Sequence, residues 1–288
     1  MYIFYKISYI YKMSLYKTDL NNERIPIAVS KAEPGSRPET YYIGMDKQGV
    51  NEITAHGNIN ISPIPPIIKN QRVAVYISGA SGSGKSMMAA RIAKQLQSRI
   101  KPMFKTASYD RKTKRMKQSK MRVVFFTGGV EEDPAFNIFD KKDTDEFLEI
   151  FMQKDPLFVN VTTDDLKDTI CIFDDYENLQ PASLAVFTFN FIKKLLEVSR
   201  KNNTQIIVIN HQSQNYNLTK PIIFECNSYI LFPWANKNSS IKFLESYGNT
   251  DKNEIRDMIN SSSDMYDFLY MYKSAPRYYM NKHKIKML

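Results

Sequence analysis

Apolar positions along this chain fall into two kinds of run. Val73–Ile77, Val123–Phe126, Ile170–Phe173 and Ile206–Ile209 are continuously apolar at strand length and rich in β-branched or aromatic residues. Such runs predict strands buried on both faces, as in a parallel sheet covered by helices. Later strands are predicted within Cys226–Trp234 and at Asp267–Tyr272. Helical spacing alternates with them, over Ser86–Arg99 and again over Pro181–Asn202, where Val186, Phe189, Ile192, Leu195 and Leu196 form one face. Two more helices are predicted, at Lys242–Asn260 and at Asp140–Lys154, the latter with Phe147, Leu148, Ile150 and Phe151 on its apolar side. Before residue 71 the pattern changes. Arg24–Ser30, Thr40–Gly44 and Asn58–Ser62 read as short extended pieces, punctuated by prolines at Pro34, Pro38, Pro63, Pro65 and Pro66. The expected architecture is α/β with a mainly parallel central sheet between two helical layers over residues 71–288, preceded by a small β-rich extension over residues 1–70.

Composition narrows the class. The 288 residues are 43% hydrophobic, enough for a sizeable core, yet no apolar run is long enough to span a bilayer. The opening segment Met1–Lys12 is aromatic but broken by Lys6 and Lys12, and lacks the apolar centre of a signal peptide; Met13 is an alternative start. Cys171 and Cys226 lie in apolar stretches and read as buried thiols, which suits a reducing, intracellular setting. With only His56, His211 and His283, a His/Cys zinc site is not expected. The net charge of +10 favours an acidic partner, nucleic acid before membrane. Much of it lies in Lys101–Arg122, where Lys101, Lys105, Arg111, Lys112, Lys114, Arg115, Lys117, Lys120 and Arg122 face a single acid, Asp110. That segment reads as a solvated surface loop, as a contact for a phosphate backbone, or as both.

Candidate chemistry follows the first buried run. Gly79, Ala80, Ser81, Gly82, Ser83, Gly84, Lys85 and Ser86 fit the phosphate-binding pattern G-x-x-x-x-G-K-[ST], and Met87 continues into the helix. Glycines let successive backbone N–H groups turn toward phosphate oxygens, Lys85 brings a cation to the β- and γ-phosphates, and the Ser86 hydroxyl suits Mg²⁺. ATP and Mg²⁺ are the cofactors expected here.

Two carboxylates, Asp174 and Asp175, end the run Thr169–Phe173, in the manner of a Walker B strand. A buried strand delivers acids to the crevice where nucleotides bind in α/β sheets, so Asp174 is placed on the metal opposite Ser86 and Asp175 on the attacking water, with Glu177 as a substitute acid. The spacing from Lys85 to Asp174 leaves room for another strand, the additional-strand arrangement. After Gln205–Ile209 a polar residue is expected beside the γ-phosphate: Gln212 first, Asn210 next. Arg200 lies before that strand, at its outer end. It reads either as a helix-terminal cation favoured by the dipole or as an arginine finger for a neighbouring subunit.

This order, with Ser199–Arg200, the polar strand end and Pro221–Asn227 ahead of the next strand, resembles the FtsK/HerA superfamily of P-loop ATPases. The resemblance covers about Gln71–Leu288 and is closest to the genome-packaging ATPases of large DNA viruses. It implies a Mg²⁺-dependent ATPase that translocates double-stranded DNA as a homo-oligomeric ring, with a capsid or portal component as partner. It also implies a place in the host cytoplasm or the virion. The first seventy residues and the long basic loop depart from the family pattern. Alternatives are another P-loop enzyme, such as a helicase or nucleotide kinase, or a DNA-binding virion protein with a regulatory nucleotide site.

Overall fold

A computed structural model describes residues 14–17, 24–31, 38–44, 50–55, 60–69, 71–104, 108–110, 115–117, 120–155, 158–211, 219–260, 262 and 264–288. The N-terminal part supplies β1 (Ser14–Tyr16), β2 (Ile25–Lys31), β3 (Thr40–Gly44), β4 (Glu52–Thr54) and β5 (Asn60–Pro63). Then come β6 (Ala74–Gly79), α1 (Lys85–Arg99), a hairpin of β7 (Ser108–Asp110) and β8 (Arg115–Lys117), β9 (Arg122–Thr127), β10 (Phe147–Phe151) and β11 (Thr169–Asp174). The remainder is α2 (Ala182–Val198), β12 (Gln205–Asn210), α3 (Lys220–Glu225), β13 (Ser228–Phe232), α4 (Lys237–Tyr247), α5 (Lys252–Asn260), β14 (Leu269–Tyr272), β15 (Tyr278–Met280) and β16 (Lys284–Met287).

One ten-stranded sheet runs β10-β9-β11-β12-β6-β13-β14-β15-β16-β4. Strands β10 through β13 in that order pair in parallel, and the last four are antiparallel. The extra strand β12 lies between β6 and β11, as the spacing of the motifs requires.

Alternation along each strand sorts its residues between two apolar layers. Val75 and Ile77, Val123 and Phe125, Ile170 and Ile172, and Ile207 and Ile209 share a cluster with Ala89, Ile92, Ala93 and Leu96 of α1. Their neighbours Ala74 and Tyr76, Val124 and Phe126, Cys171 and Phe173, and Ile206 and Val208 join the helices α2, α3, α4 and α5 on the other face. Because both faces are covered, β6, β9, β11 and β12 carry charged side chains only at their ends. The site must therefore lie at a strand terminus.

The N-terminal strands form a second, antiparallel sheet in the order β1-β3-β2-β5. Leu15, Ile27, Ile43 and Ile61 belong to the α1 cluster, beside Tyr270, Tyr278, Met280 and Ile285 of the antiparallel strands. Thus α1 covers one end of that sheet face and this small sheet the other. β4 leaves it and pairs with β16 as the last strand of the main sheet.

Three sequence expectations are corrected. Asp140–Lys154 holds no helix: Asp140 and Asp143 fold back on the amides of Lys142 and Asp145, and Phe147–Phe151 becomes an edge strand on β9. Short aspartate turns and an open strand edge outcompete helical spacing there. Lys242–Asn260 is two helices, broken where α4 closes at Gly248 and Asn249 turns left-handed at φ 49°. On α2, Val186 is 49% exposed; Ala185, Phe191, Ile192, Leu195 and Leu196 form the buried face.

At the edge opposite the glycine loop, Asp168 is fully buried and left-handed at φ 52°. Its carboxylate accepts from Met103 N and Phe104 N at 2.6 Å and from Asn203 Nδ2 at 2.7 Å. It thereby ties the start of the basic segment to the turn before β12. Asp168→Ala should lower stability by about 3 kcal/mol, since hydrogen bonds to a charged group carry roughly 1.5–3 kcal/mol each. Denaturant unfolding would register the loss, and Asp168→Asn should recover part of it.

Candidate active site

The glycine loop turns from β6 into α1. Gly82 at φ 76° and Gly84 at φ 94° occupy left-handed backbone, where a side chain would be strained. Gly79 is needed for a different reason: a Cβ there would stand 2.6 Å from Phe232 Cβ on β13. Helix α1 begins with no side-chain cap and no acid in its first turn, so its leading N–H groups face the cleft unneutralised. Lys85 is buried and curls back to donate to Ala80 O at 2.8 Å.

Strand parity aims the acids. Ile170 and Ile172 face α1, so Asp174 does too, and Ser86 Oγ donates to its Oδ2 at 3.4 Å. Asp175 then turns left-handed at φ 53°, which breaks the alternation and keeps its carboxylate at the same cleft. The turn is tightly seated, because a Cβ on Gly128 at the end of β9 would come within 2.5 Å of Asp175 O.

The polar end of β12 departs from expectation. Asn210 shares parity with Val208, so its amide is buried away from the cleft and donates to Tyr76 Oη at 3.0 Å and to Tyr176 Oη at 3.4 Å. Asn210 is therefore withdrawn as a second choice for the phosphate sensor. Gln212 lies outside the described residues. His211 takes the place beside the acids instead: its Nε2 is 2.6 Å from Asp175 Oδ1 and its Nδ1 3.5 Å from Lys85 Nζ. The sequence carried a signal for it. Ile207 and Ile209 face α1, and position 211 continues their register. Asp133 both caps Ala135 N at 2.8 Å and lines the cleft. Arg200 is exposed near the start of β12, at the opposite edge of the sheet.

These groups enclose a cleft of about 370 Å³ lined by Gly82, Gly84, Lys85, Ser86, Met87, Asp133, Asp174, Asp175 and His211. Burial raises the Asp174 carboxyl to about 7, with the neighbouring Asp175 adding to the shift and Lys85 opposing it. The hydrogen bond from His211 holds Asp175 below the ordinary carboxylate range, and the same bond raises His211. Burial lowers Lys85 and raises Glu177. Of the two acids, Asp174 is therefore the one that takes up a proton first as pH falls. Several buried polar atoms here have no protein partner, among them Ser83 Oγ, Asp174 Oδ1 and Glu177 Oε1. An anion at the loop and a divalent cation at Asp174 Oδ1 and Ser86 Oγ fit these vacant valences. Asp174, Asp175 and His211 place ligand atoms within 4.8 Å of one another. Among the described residues, no helix is long and apolar enough to cross a membrane.

No protein-family model matches the chain. Over 248 residues it is 25% identical to an uncharacterized protein, V3, of Sputnik virophage, spanning 85% of this chain and 89% of that one. Among solved structures it is similar to the genome packaging NTPase B204 of Sulfolobus turreted icosahedral virus 2 in complex with AMP. That match has a TM-score of 0.47 and 13% identity, over 77% of this chain and 100% of that chain. The pCW3 conjugation coupling protein TcpA with ATPγS is also similar, at TM-score 0.46 and 12% identity, over 90% of this chain and 77% of that one.

A testable consequence concerns Asp174. Its folded value of about 7 exceeds the ordinary 3.8, so the folded state binds the extra proton. That stability is fully present below about pH 4 and is lost as pH rises toward 7. In cation-free buffer at pH 8, Asp174→Asn should therefore melt above the wild type, with the gap closing toward pH 4. Mg²⁺ should raise the melting temperature of the wild type and leave Asp174→Asn unmoved.

Proposed function

We propose that this chain is a Mg²⁺-dependent ATPase motor of the FtsK/HerA type that translocates double-stranded DNA. It would act as a homo-oligomeric ring that packages a viral genome, with a capsid or portal component as partner, in the host cytoplasm or the virion. The observation that carries the reading is convergence: the glycine loop, Lys85, Asp174 and the Asp175–His211 pair meet at one cleft, at the carboxyl ends of parallel strands. In open α/β sheets ligands bind in this crevice, outside the carboxyl ends of the strands. Support for a viral setting comes from the sequence similarity to a virophage protein along most of the chain.

Residue roles follow from position. Loop amides from Gly79 to Met87 and the start of α1 would hold the phosphates, and Lys85 would balance charge that develops on the γ-phosphoryl group. Ser86 and Asp174 would hold Mg²⁺, which supplies charge neutralisation between the β- and γ-oxygens. Asp175 stays ionised through its bond to His211, so it is able to orient a water and take its proton. His211 acts through Asp175 as a positioning residue. Arg200 is exposed at the sheet edge opposite its own cleft, which suits service to a neighbouring subunit. DNA contact falls to the basic segment Lys101–Arg122; within it, Lys120 already pairs with Glu146 and Arg122 donates to Asp165 O.

The test is ATP hydrolysis by the purified protein with and without long duplex DNA. Duplex DNA should stimulate turnover, while Asp175→Asn should reduce it at least about 10²-fold, the low end for a lost general base, and Lys85→Ala by about 10²–10³-fold, as for a lost transition-state charge partner. His211→Ala should lower kcat with KM for ATP little changed, and His211→Asn should restore part of it. Phosphate transfer to a nucleoside monophosphate would sink the motor and favour a kinase. DNA binding without hydrolysis would favour a virion protein with a regulatory nucleotide.

Arg200 has its own measurement. Arg200→Ala subunits mixed into wild-type rings should depress activity more than their share of the mixture, as expected for a residue acting between subunits. A strictly proportional decline would leave Arg200 as a helix-terminal cation.

A further inference from the structure

We propose that Tyr266 is the platform on which the base of the bound nucleotide stacks. The inference rests on the nucleotide reading of the cleft and extends it to the part of the ligand that the glycine loop does not hold. Strand order sets the location. From the acids to the far side, the sheet runs β11-β12-β6-β13-β14. Strand β14 runs antiparallel to β13, with Leu269 opposite Leu231, itself opposite Ser78 at the end of β6. The turn before β14 therefore stands at the same sheet edge as the glycine loop, on the side away from Asp174 and Asp175.

That turn touches the loop. A Cβ built on Gly84 would lie 3.7 Å from Tyr266 Cδ1, and one on Gly82 would lie 3.8 Å from Met265 Cε, both ordinary contact distances. Tyr266 nevertheless remains 56% exposed, so an aromatic ring rests beside the phosphate loop with much of its surface open. Met87, on the first turn of α1, is also exposed.

The platform is held in place. Asp264 Oδ1 accepts from Tyr266 N and Asp267 Oδ2 from Asp264 N, each at 2.9 Å, and Lys282 pairs with Asp267 at 2.6 Å. The turn's two acids are thus engaged within the protein, and its ring is what is left to offer a ligand. A triphosphate whose reacting end lies at Asp175 and His211 must leave the loop at its opposite end. Ribose and base then emerge past Gly84 and Met87, toward Tyr266. Stacking uses the π-face that every base has, so this contact recognises a nucleobase without reading its edge.

The test separates base from phosphate. ATP and inorganic tripolyphosphate, each with Mg²⁺, are titrated calorimetrically into the full chain carrying Asp175→Asn to suppress turnover. Adding Tyr266→Ala should weaken ATP about tenfold, in keeping with the loss of one base–aromatic stack. Tripolyphosphate should stay within about twofold, since its contacts are the loop's alone, and Tyr266→Phe should keep ATP affinity. Unchanged ATP affinity in Tyr266→Ala, or equal weakening of both ligands, would overturn the platform. Failure of both ligands to bind with Tyr266 intact would instead overturn the nucleotide reading on which it rests.

Discussion

Desolvation of Asp174 is the constraint on which the cleft depends. A carboxylate at the end of a strand buried on both faces has lost most of its water, and one of its oxygens finds no protein donor. Burying an uncompensated charge is expensive, so the group takes up a proton more readily than an exposed carboxyl does. Lys85 is close enough to oppose the shift but is itself desolvated and spends a hydrogen bond on Ala80 O. The two buried ions do not neutralise one another fully. What is left over is a site prepared for both an anion and a cation, brought in together. A triphosphate with its metal is the kind of ligand that meets both demands at once.

The neighbouring Asp175 solves the opposite problem. It must remain charged one residue away from a carboxyl that does not, and the hydrogen bond from His211 accomplishes this. Environments that push two adjacent acids apart in this way suit them to different roles, as the proposed assignment of Asp174 to the metal and Asp175 to the water requires. The division needs the left-handed backbone at Asp175 and the close approach of Gly128 beneath it. Without that turn, strand parity would send Asp175 to the α2 face.

Parity also explains what the sequence made legible. The glycine loop and the Asp174–Asp175 strand end are local patterns, and every residue that defines them is contiguous, so the α/β fold and the cleft's main groups could be read directly. His211 is less legible, because its place at the cleft comes from which face it occupies, and that requires knowing that α1 covers the Ile207–Ile209 side. Asn210 falls on the opposite face for the same reason. Phe147–Phe151 failed differently. Four apolar positions in five satisfy a helix face or a short strand equally well, and only the open edge of β9 decides between them. The pairing of β4 with β16 joins residues from opposite ends of the chain, a contact that no local pattern announces.

The same nonlocality bears on how the N-terminal strands belong to the fold. Among the described residues, α1 and the turn at Ala135–Phe139 cover their face of the sheet over the parallel strands. Tyr270, Tyr278, Met280 and Ile285 would present apolar surface to water on that face were Leu15, Ile27, Ile43 and Ile61 not gathered into the same cluster. Backbone bonds from Ala55 N to His283 O and from Ile61 N to Lys282 O fasten the segment to the β15–β16 turn. Lys282 in turn pairs with Asp267, in the turn that carries Tyr266. The N-terminal layer is therefore joined, through one hairpin, to the turn beside the glycine loop. Its burial stabilises the antiparallel half of the sheet, and the hairpin it grips is the one that fixes the aromatic ring beside Gly84.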